Sequence, residues 1–378
     1  MTLIDGLLIR EHVKQQCQTY KQGFETTGIQ VVIVQFETPK NISTSSKARY
    51  EAARISARQK SAIFRDIGVI SNRIVLPHTI STDEFQKSIQ VINQDDKVIA
   101  AIIQYPVPPQ LDSLVGLLSP QKDIDIVRRR SNNLFSGCAT AEGIARVLEP
   151  YLEPNSRVAI VGGGGFVGRG VINYLQQSST NYFILEQGDE ISRITDADII
   201  VTATGQPGFL TPYILPSHRL VVDAGFTPTR DGPLGDIDTS AYSVPQRITP
   251  VPGGVGPIEM AILAQRLVLM ALGVDLPKWN YQQLEQQQQQ YADAIASAIC
   301  SFFQYLQASA ADRVSNPQPG LAVFEDNHYR LTLNMNENTL SLARISERLT
   351  LVKLDLTNNQ IKTARGLTED DAARWQRM

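Results

Sequence analysis

The segment Arg157-Val158-Ala159-Ile160-Val161, followed at once by Gly162-Gly163-Gly164-Gly165-Phe166-Val167-Gly168, constrains this chain more than any other. An uninterrupted apolar run reads as a strand buried on both faces, and a glycine cluster directly behind it reads as a sharp turn into a helix. Gly163, Gly165 and Gly168 satisfy G-x-G-x-x-G. In that pattern the first glycine makes the turn, the second admits a pyrophosphate to the backbone, and the third lets helix and strand pack closely. Unpaired N–H groups and the helix dipole then favour phosphate at the helix start. Glu186 ends the next strand, Tyr182 to Leu185, at the place where a carboxylate accepts hydrogen bonds from ribose hydroxyls. The same charge repels a 2'-phosphate, so NAD is the expected cofactor ahead of NADP. Plain loop glycines and a surface glutamate are the competing readings of these residues.

Strands and helices alternate on both sides of this turn. Upstream, a helix over 9–27 leads to the strand Val31 to Val34, a long helix over 48–65 ended by Gly68, a strand at 74–76, a helix near 82–94, and the strand Val98 to Ile103. Downstream come a helix over 166–176, apolar segments at 197–203 and 219–223, and a helix from about Ile258 to Leu272. Such alternation implies mostly parallel sheets covered on both faces. The expected fold class is α/β with two domains, a Rossmann-type nucleotide domain and a second α/β domain, and a cleft between them. The boundaries read as 1–145, 146–262, helices over 263–309 packing back on the body, and an extension over 310–378. Gln286 to Gln290 lie in a helix-compatible stretch, 310–320 reads as a linker, and Leu351 to Ile361 are spaced like one leucine-rich unit.

Charge and composition exclude several classes. A net charge of -3 makes no nucleic-acid surface, and Arg128-Arg129-Arg130 reads as a solvated loop or an anion site. With 42% hydrophobic and 19% charged residues the chain is not of disordered composition. No apolar stretch is expected to approach the roughly 18 residues that span a bilayer. The opening Met-Thr-Leu-Ile-Asp-Gly lacks a basic leader and a long apolar core, so the cytoplasm is the expected location. Cys17, Cys138 and Cys300 are scattered, and no histidine pair has metal spacing, so no metal is expected.

The upstream strand 98–103 runs into Gln104-Tyr105-Pro106, and ligands of open α/β sheets bind beyond such strand ends. Lys60 in the long helix and the acids Asp123 and Asp125 are further candidates; each also reads as an ordinary solvated residue, and Lys122 as a partner for either acid.

Taken in order, these residues resemble the bifunctional methylenetetrahydrofolate dehydrogenase/methenyltetrahydrofolate cyclohydrolase family over about residues 3–280. The most specific piece is ITPVPGGVGP at 248–257, supported by Ile4-Asp5-Gly6, IIQYPVP at 102–108, SPQKDID at 119–125, ADIIVTATGQPGFL at 197–210, VVDAG at 221–225 and GDID at 235–238. The resemblance implies folate in the cleft, hydride transfer from 5,10-methylenetetrahydrofolate to NAD or NADP, hydrolysis of the methenyl product to 10-formyltetrahydrofolate, and a homodimer. It implies Lys60 as the catalytic lysine, Gln104 as the residue orienting it and Asp125 as the pteridine holder. Tyr105, Tyr50, Ser56, Pro252, Gly253 and Gly254 are implied at the substrate. Gly163, Gly164, Gly165, Phe166, Val167, Gly168, Glu186, Thr204, Gly205 and Thr140 are implied at the cofactor.

The departures are specific. Ser56 stands where a tyrosine is expected four residues before Lys60; aligning Tyr50 there instead puts Arg54 in the lysine position. Ile126 replaces a glycine, Gly163-Gly164 replace Arg-Ser, Glu259 replaces a threonine, and Gly137 to Gly143 replace P-C-T-P-x-G. A dehydrogenase acting on a non-folate substrate, and a non-catalytic binding relative, stay open on these grounds.

Overall fold

A computed structural model describes residues 2–308 apart from 127 and 129, together with the strand segments 315–318, 321–325, 329–334, 339–344, 349–355 and 360–364. The chain forms two compact units, Met1–Asn280 and Tyr281–Met378.

In the first unit β1 (Thr2–Leu3) leads to α1 (Gly6–Gln18), whose start is capped by the Asp5 carboxylate accepting the Leu7 amide at 2.9 Å. The helix expected over 9–27 breaks after Thr19 and resumes as α2 (Lys21–Thr27), which ends on left-handed Gly28. Next come β2 (Gln30–Phe36), α3 (Thr44–Asp66), β3 (Ile70–Leu76), α4 (Thr82–Gln94) and β4 (Val98–Ile103). The strands pair in parallel in the order β3-β2-β4. β2 is the centre of the sheet, and from Val31 to Phe36 every residue is buried. α4 opens with a full capping box, in which Ser81 and Glu84 bond each other's backbone N–H. Lys122 pairs with neither nearby acid. It donates to the Ile92 and Asp95 carbonyls at 3.0 and 2.8 Å, closing the end of α4.

The chain crosses through α5 (Ala139–Leu148) into β5 (Arg157–Val161), α6 (Phe166–Gln177), β6 (Asn181–Leu185), β7 (Ile199–Thr202), β8 (Leu220–Asp223), the hairpin β9 (Thr227–Thr229) and β10 (Gly232–Leu234), and β11 (Arg247–Ile248). The six-stranded sheet runs β1-β11-β8-β7-β5-β6 and is parallel throughout. This is the expected Rossmann-type arrangement, with one addition: the first strand of the chain completes the sheet of the second domain. Gly6 explains the closeness, because a Cβ there would lie 2.0 Å from the Gly254 carbonyl oxygen.

α7 (Val255–Leu272) corrects two expectations. It is 18 residues long and apolar enough to cross a bilayer, so an apolar stretch of that length does exist; it packs as a core helix against α1 and α5, with every residue from Met260 to Val268 buried. It also runs unbroken through the boundary expected at 262/263, so that division is not a structural one.

In the second unit α8 (Tyr281–Ala308) is one 28-residue helix, and the glutamine run is part of it. Gln287 donates to Tyr291 at 2.7 Å and Gln289 to Asp293 at 2.9 Å, the i,i+4 pairs that support a polar helix. β12 (Ser315–Gln318), β13 (Leu321–Glu325), β14 (Tyr329–Asn334), β15 (Thr339–Arg344), β16 (Leu349–Asp355) and β17 (Gln360–Ala364) form an antiparallel meander in sequence order. The first of these lies within the expected linker. The leucine-rich reading fails too, since Val352 to Asp355 pair antiparallel with the strand from Gln360, whereas stacked repeats pair in parallel. The helix expected to pack back on the body over 263–309 is thus divided at 280/281, and α8 belongs to the unit of the meander.

Candidate active site

Lys60 lies on α3, which packs against α7. Its side chain is only 3% exposed, and its Nζ meets Asp125 Oδ2 at 2.6 Å and Glu259 Oε1 at 2.9 Å. The other Asp125 oxygen accepts the Ala139 amide at the start of α5 at 3.0 Å. Thr140, expected at the cofactor, is the second residue of α5 and lies close enough to Glu259 to lower its carboxyl slightly. Burial opposes the charge on Lys60, but Asp125 and then Glu259 outweigh it, and the ammonium is held above the ordinary lysine range. Burial, reinforced by Asp125, pushes the Glu259 carboxyl up from its usual value, against the pull of Lys60.

Arg54 is exposed and pairs with Glu51 one turn earlier on the same helix, at 2.6 Å, away from the buried carboxylates that hold Lys60. Ser56, one turn before Lys60, is partly buried. Gln104 is not brought to Lys60. It lines a small cavity of about 150 Å³ with Gln35, Tyr50 and Arg54, and the side-chain oxygens of Gln35 and Gln104 are buried without a partner. The expectation that Gln104 orients the lysine is therefore corrected: carboxylates do so. A larger cavity of about 740 Å³ lies between the two halves of this unit, lined among others by Tyr105, Ile126, Arg128, Cys138, Phe166 and Arg169. Its size is that of a small-molecule site. The Tyr105 hydroxyl donates to Asp112 at 2.5 Å, and burial with that carboxylate pushes it up to about 12.

Ile126, where the family resemblance expects a glycine, takes a backbone conformation that favours glycine. It is buried in the left-handed region at φ 49°, a conformation costing a branched residue about 1–3 kcal/mol. The described arginines of the basic cluster hold backbone: Arg128 bonds the Asp112 carbonyl at 2.9 Å, and Arg130 bonds the Gly116 and Leu118 carbonyls at 2.7 and 2.6 Å. Arg129 lies outside the described residues.

At the nucleotide crevice, Gly162 turns the chain at φ 83° and Gly165 caps α6. Gly168 must be glycine, because a Cβ would lie 2.4 Å from the Gly162 carbonyl oxygen. A Cβ on Gly163 would press on Ile184 at 2.6 Å, so an arginine there would require that side chain to move. The Glu186 carboxylate accepts the Gly164 amide, and Arg169 bonds the Gly164 carbonyl. Phe166 is exposed beside the turn and Val167 is half-buried. Thr204 and Gly205 follow β7 on the same edge of the sheet, where the Thr204 amide donates to Asp236 at 2.8 Å. Gly253, at φ 106°, and Pro252 lie in the loop before α7; the Gly253 carbonyl accepts the Gly6 amide at 2.8 Å, and the Gly254 amide returns to the Pro250 carbonyl at 2.7 Å. The carboxylates and glycines of the crevice fit a dinucleotide: an open turn, helix amides and an acidic group at the ribose position.

Sequence reasoning noted Glu259 only as a departure and did not single out Arg266, Glu142, Asp223 or Asp236. Asp223 ends β8 and accepts amides from Gly225, Asp236 and Ile237, while Asp236 accepts from Thr204 and Gln206. The signal was present in VVDAG and GDID, acids set at the edge of apolar runs. Burial, and then the neighbouring Asp236, push Asp223 up to about 7. Because its folded pKa is raised, Asp223 contributes stability fully below the unfolded value of about 4 and loses it as pH rises through about 7. Denaturation of the wild type should show a loss on the order of 2 kcal/mol between pH 5 and 7 from this group, and Asp223→Asn should flatten that slope. An unchanged slope in the variant would refute the assignment.

Residues 7–125 match the tetrahydrofolate dehydrogenase/cyclohydrolase catalytic domain, and residues 138–273 match the NAD(P)-binding domain of the same family. The chain is 30% identical over 281 residues to the bifunctional protein FolD of Staphylococcus aureus (strain Newman), covering 69% of this chain and 97% of that protein. Its fold is similar to a crystal structure of the FolD methylenetetrahydrofolate dehydrogenase/cyclohydrolase of Campylobacter jejuni, with TM-score 0.61 and 22% identity over 72% of this chain and 99% of that one. The Trypanosoma brucei FolD complexed with NADP cofactor and inhibitor is similar with TM-score 0.60 and 21% identity over 71% of this chain and 97% of that one. The chain belongs to the tetrahydrofolate dehydrogenase/cyclohydrolase family, and it extends beyond the matched residues at its C-terminal end.

Proposed function

We propose that the protein oxidises 5,10-methylenetetrahydrofolate to 5,10-methenyltetrahydrofolate with NAD as the preferred acceptor, working in the cytoplasm as a homodimer. The observation that carries this reading is the Lys60 ammonium buried against Asp125, within the family's catalytic domain and against α7, whose first turn is the end of the PVPGGVGP motif. Bound nicotinamide dinucleotide would supply the hydride acceptor, and Gly164, Gly165 and Glu186 are the residues that would hold its phosphate and ribose groups. The chain's own residues supply position and charge. Asp125 has spent a lone pair on Lys60 and another on Ala139, which fixes its rotamer and leaves the remaining ones for a ring N–H donor. Tyr105 and Ile126 wall the larger cavity where the rest of a folate would lie.

The preference for NAD rests on Glu186 bonding the turn itself, where a 2'-phosphate would be repelled. With purified full-length protein and 5,10-methylenetetrahydrofolate, NAD should be reduced at least about tenfold more efficiently than NADP, a difference of about 1.4 kcal/mol. Glu186→Gln should narrow the ratio. Equal or better use of NADP would reject the cofactor assignment, and nucleotide binding without folate-dependent reduction would point to another substrate.

A further inference from the structure

In this site the ammonium lies between a pair of carboxylates. Asp125 approaches Lys60 from the loop after β4 at 2.6 Å, and Glu259 approaches from the second turn of α7 at 2.9 Å. Both contacts are buried, with side-chain exposures of 6% and 14%, so solvent screens them weakly. A lysine with one carboxylate is neutral as a pair; a second carboxylate against the same ammonium adds negative charge when it is ionised, the form that the ammonium at 2.9 Å favours against burial.

We propose that Glu259 makes this site selective for a folate carrying positive charge on its one-carbon bridge, and that it fastens Lys60 as an ammonium unable to serve as a base. The inference rests on the folate reading above. In the oxidation a C–H bond of the bridge breaks, and hydrogen leaves with both electrons to reduce the nicotinamide. Nitrogen lone-pair density then spreads onto the carbon, and the N–C–N unit carries one positive charge with no proton released. Fixed negative charge stabilises that charge as it develops. Ring opening makes the opposite demand. Water oxygen bonds to the carbon and gives up both its protons, one passing to the nitrogen whose C–N bond breaks and the other to solvent, so the positive charge disappears. A site that stabilises the cation and holds its lysine protonated favours the first step and slows the second.

The test uses nucleotide-free full-length protein, titrated by fluorescence with 5,10-methenyltetrahydrofolate, which is cationic at the bridge, and with 5-formyltetrahydrofolate, which is not. The wild type should bind the cation at least about tenfold more tightly. Glu259→Gln should lose most of that preference and should hydrolyse the methenyl compound at least as fast as the wild type. Equal binding of the two compounds by the wild type would overturn the inference without needing any variant. Abolished hydrolysis in a folded Glu259→Gln protein would also overturn it, by making Glu259 the base. Binding of neither compound by the wild type would reject the folate reading, and the inference with it.

Discussion

Replacing Lys60 by methionine is expected to cost the folded protein about 3–5 kcal/mol, because it leaves Asp125 and Glu259 buried without their shared counter-ion. Methionine fills nearly the same volume, so the loss reports charge rather than packing. The deficit should also depend on pH. Without the ammonium, Glu259, already raised in its presence, is pushed further up. A carboxyl raised in the folded state stabilises below its unfolded pKa and loses that contribution as pH rises through the folded value. Chemical denaturation should therefore show a larger deficit at pH 8 than at pH 5. Equal stability of variant and wild type at pH 8 would mean that the buried cluster does not exist in solution.

A loss of similar size is expected for Arg266→Met. The Arg266 guanidinium, 2% exposed, donates to Glu142 at 2.6 and 3.0 Å, to the Ile124 carbonyl at 2.8 Å and to the Gly137 carbonyl at 2.7 Å. Its plane also lies 4.2 Å from the Phe135 ring centroid. Those carbonyls flank the site: Ile124 precedes Asp125, and Gly137 lies just before the turn of α5 that holds Asp125 through Ala139. Removing the fork leaves both carbonyls unpaired and Glu142 with Arg146 alone, which should cost about 3–5 kcal/mol and weaken folate binding together with stability. Arg266→Lys should rescue little, since a single ammonium cannot reproduce a planar fork reaching separate acceptors. Thermal melts paired with folate titration check this; wild-type behaviour of Arg266→Lys would show that the fork is not what holds the loops.

Much of this arrangement was legible in the sequence because it follows from local rules. The apolar runs of β2, β4 and β5 admitted only buried parallel strands, and the glycine turn fell where strand gave way to helix. The spacing from Lys60 to Gly68 singled out the lysine that the structure buries against two carboxylates, while Arg54 is exposed and pairs with Glu51. What escaped was long-range. Gln104 sits at the end of β4 as expected, but its side-chain direction depends on neighbours that no local pattern specifies. Glu259 and Lys60 are distant in sequence and meet only because α3 and α7 pack together. α7 was read three residues short because Gly256 and Pro257 mark its first turn as loop, and its span-length apolar run was missed because Glu259 and Arg266 interrupt it, both satisfied inside the protein. In the tail, spacing alone could not distinguish an antiparallel meander from a repeat, since both place leucines on alternate positions of short strands.

The most direct measurement is a product balance under anaerobic turnover: purified protein, 5,10-methylenetetrahydrofolate and NAD, with reduced nucleotide, methenyl and formyl folates quantified together. The expected result is one reduced nucleotide per folate oxidised, with the methenyl compound accumulating as the main product. Formyl product appearing as fast as reduced nucleotide would contradict the locked lysine, and absence of nucleotide reduction with a folded, nucleotide-binding protein would contradict the proposed oxidation.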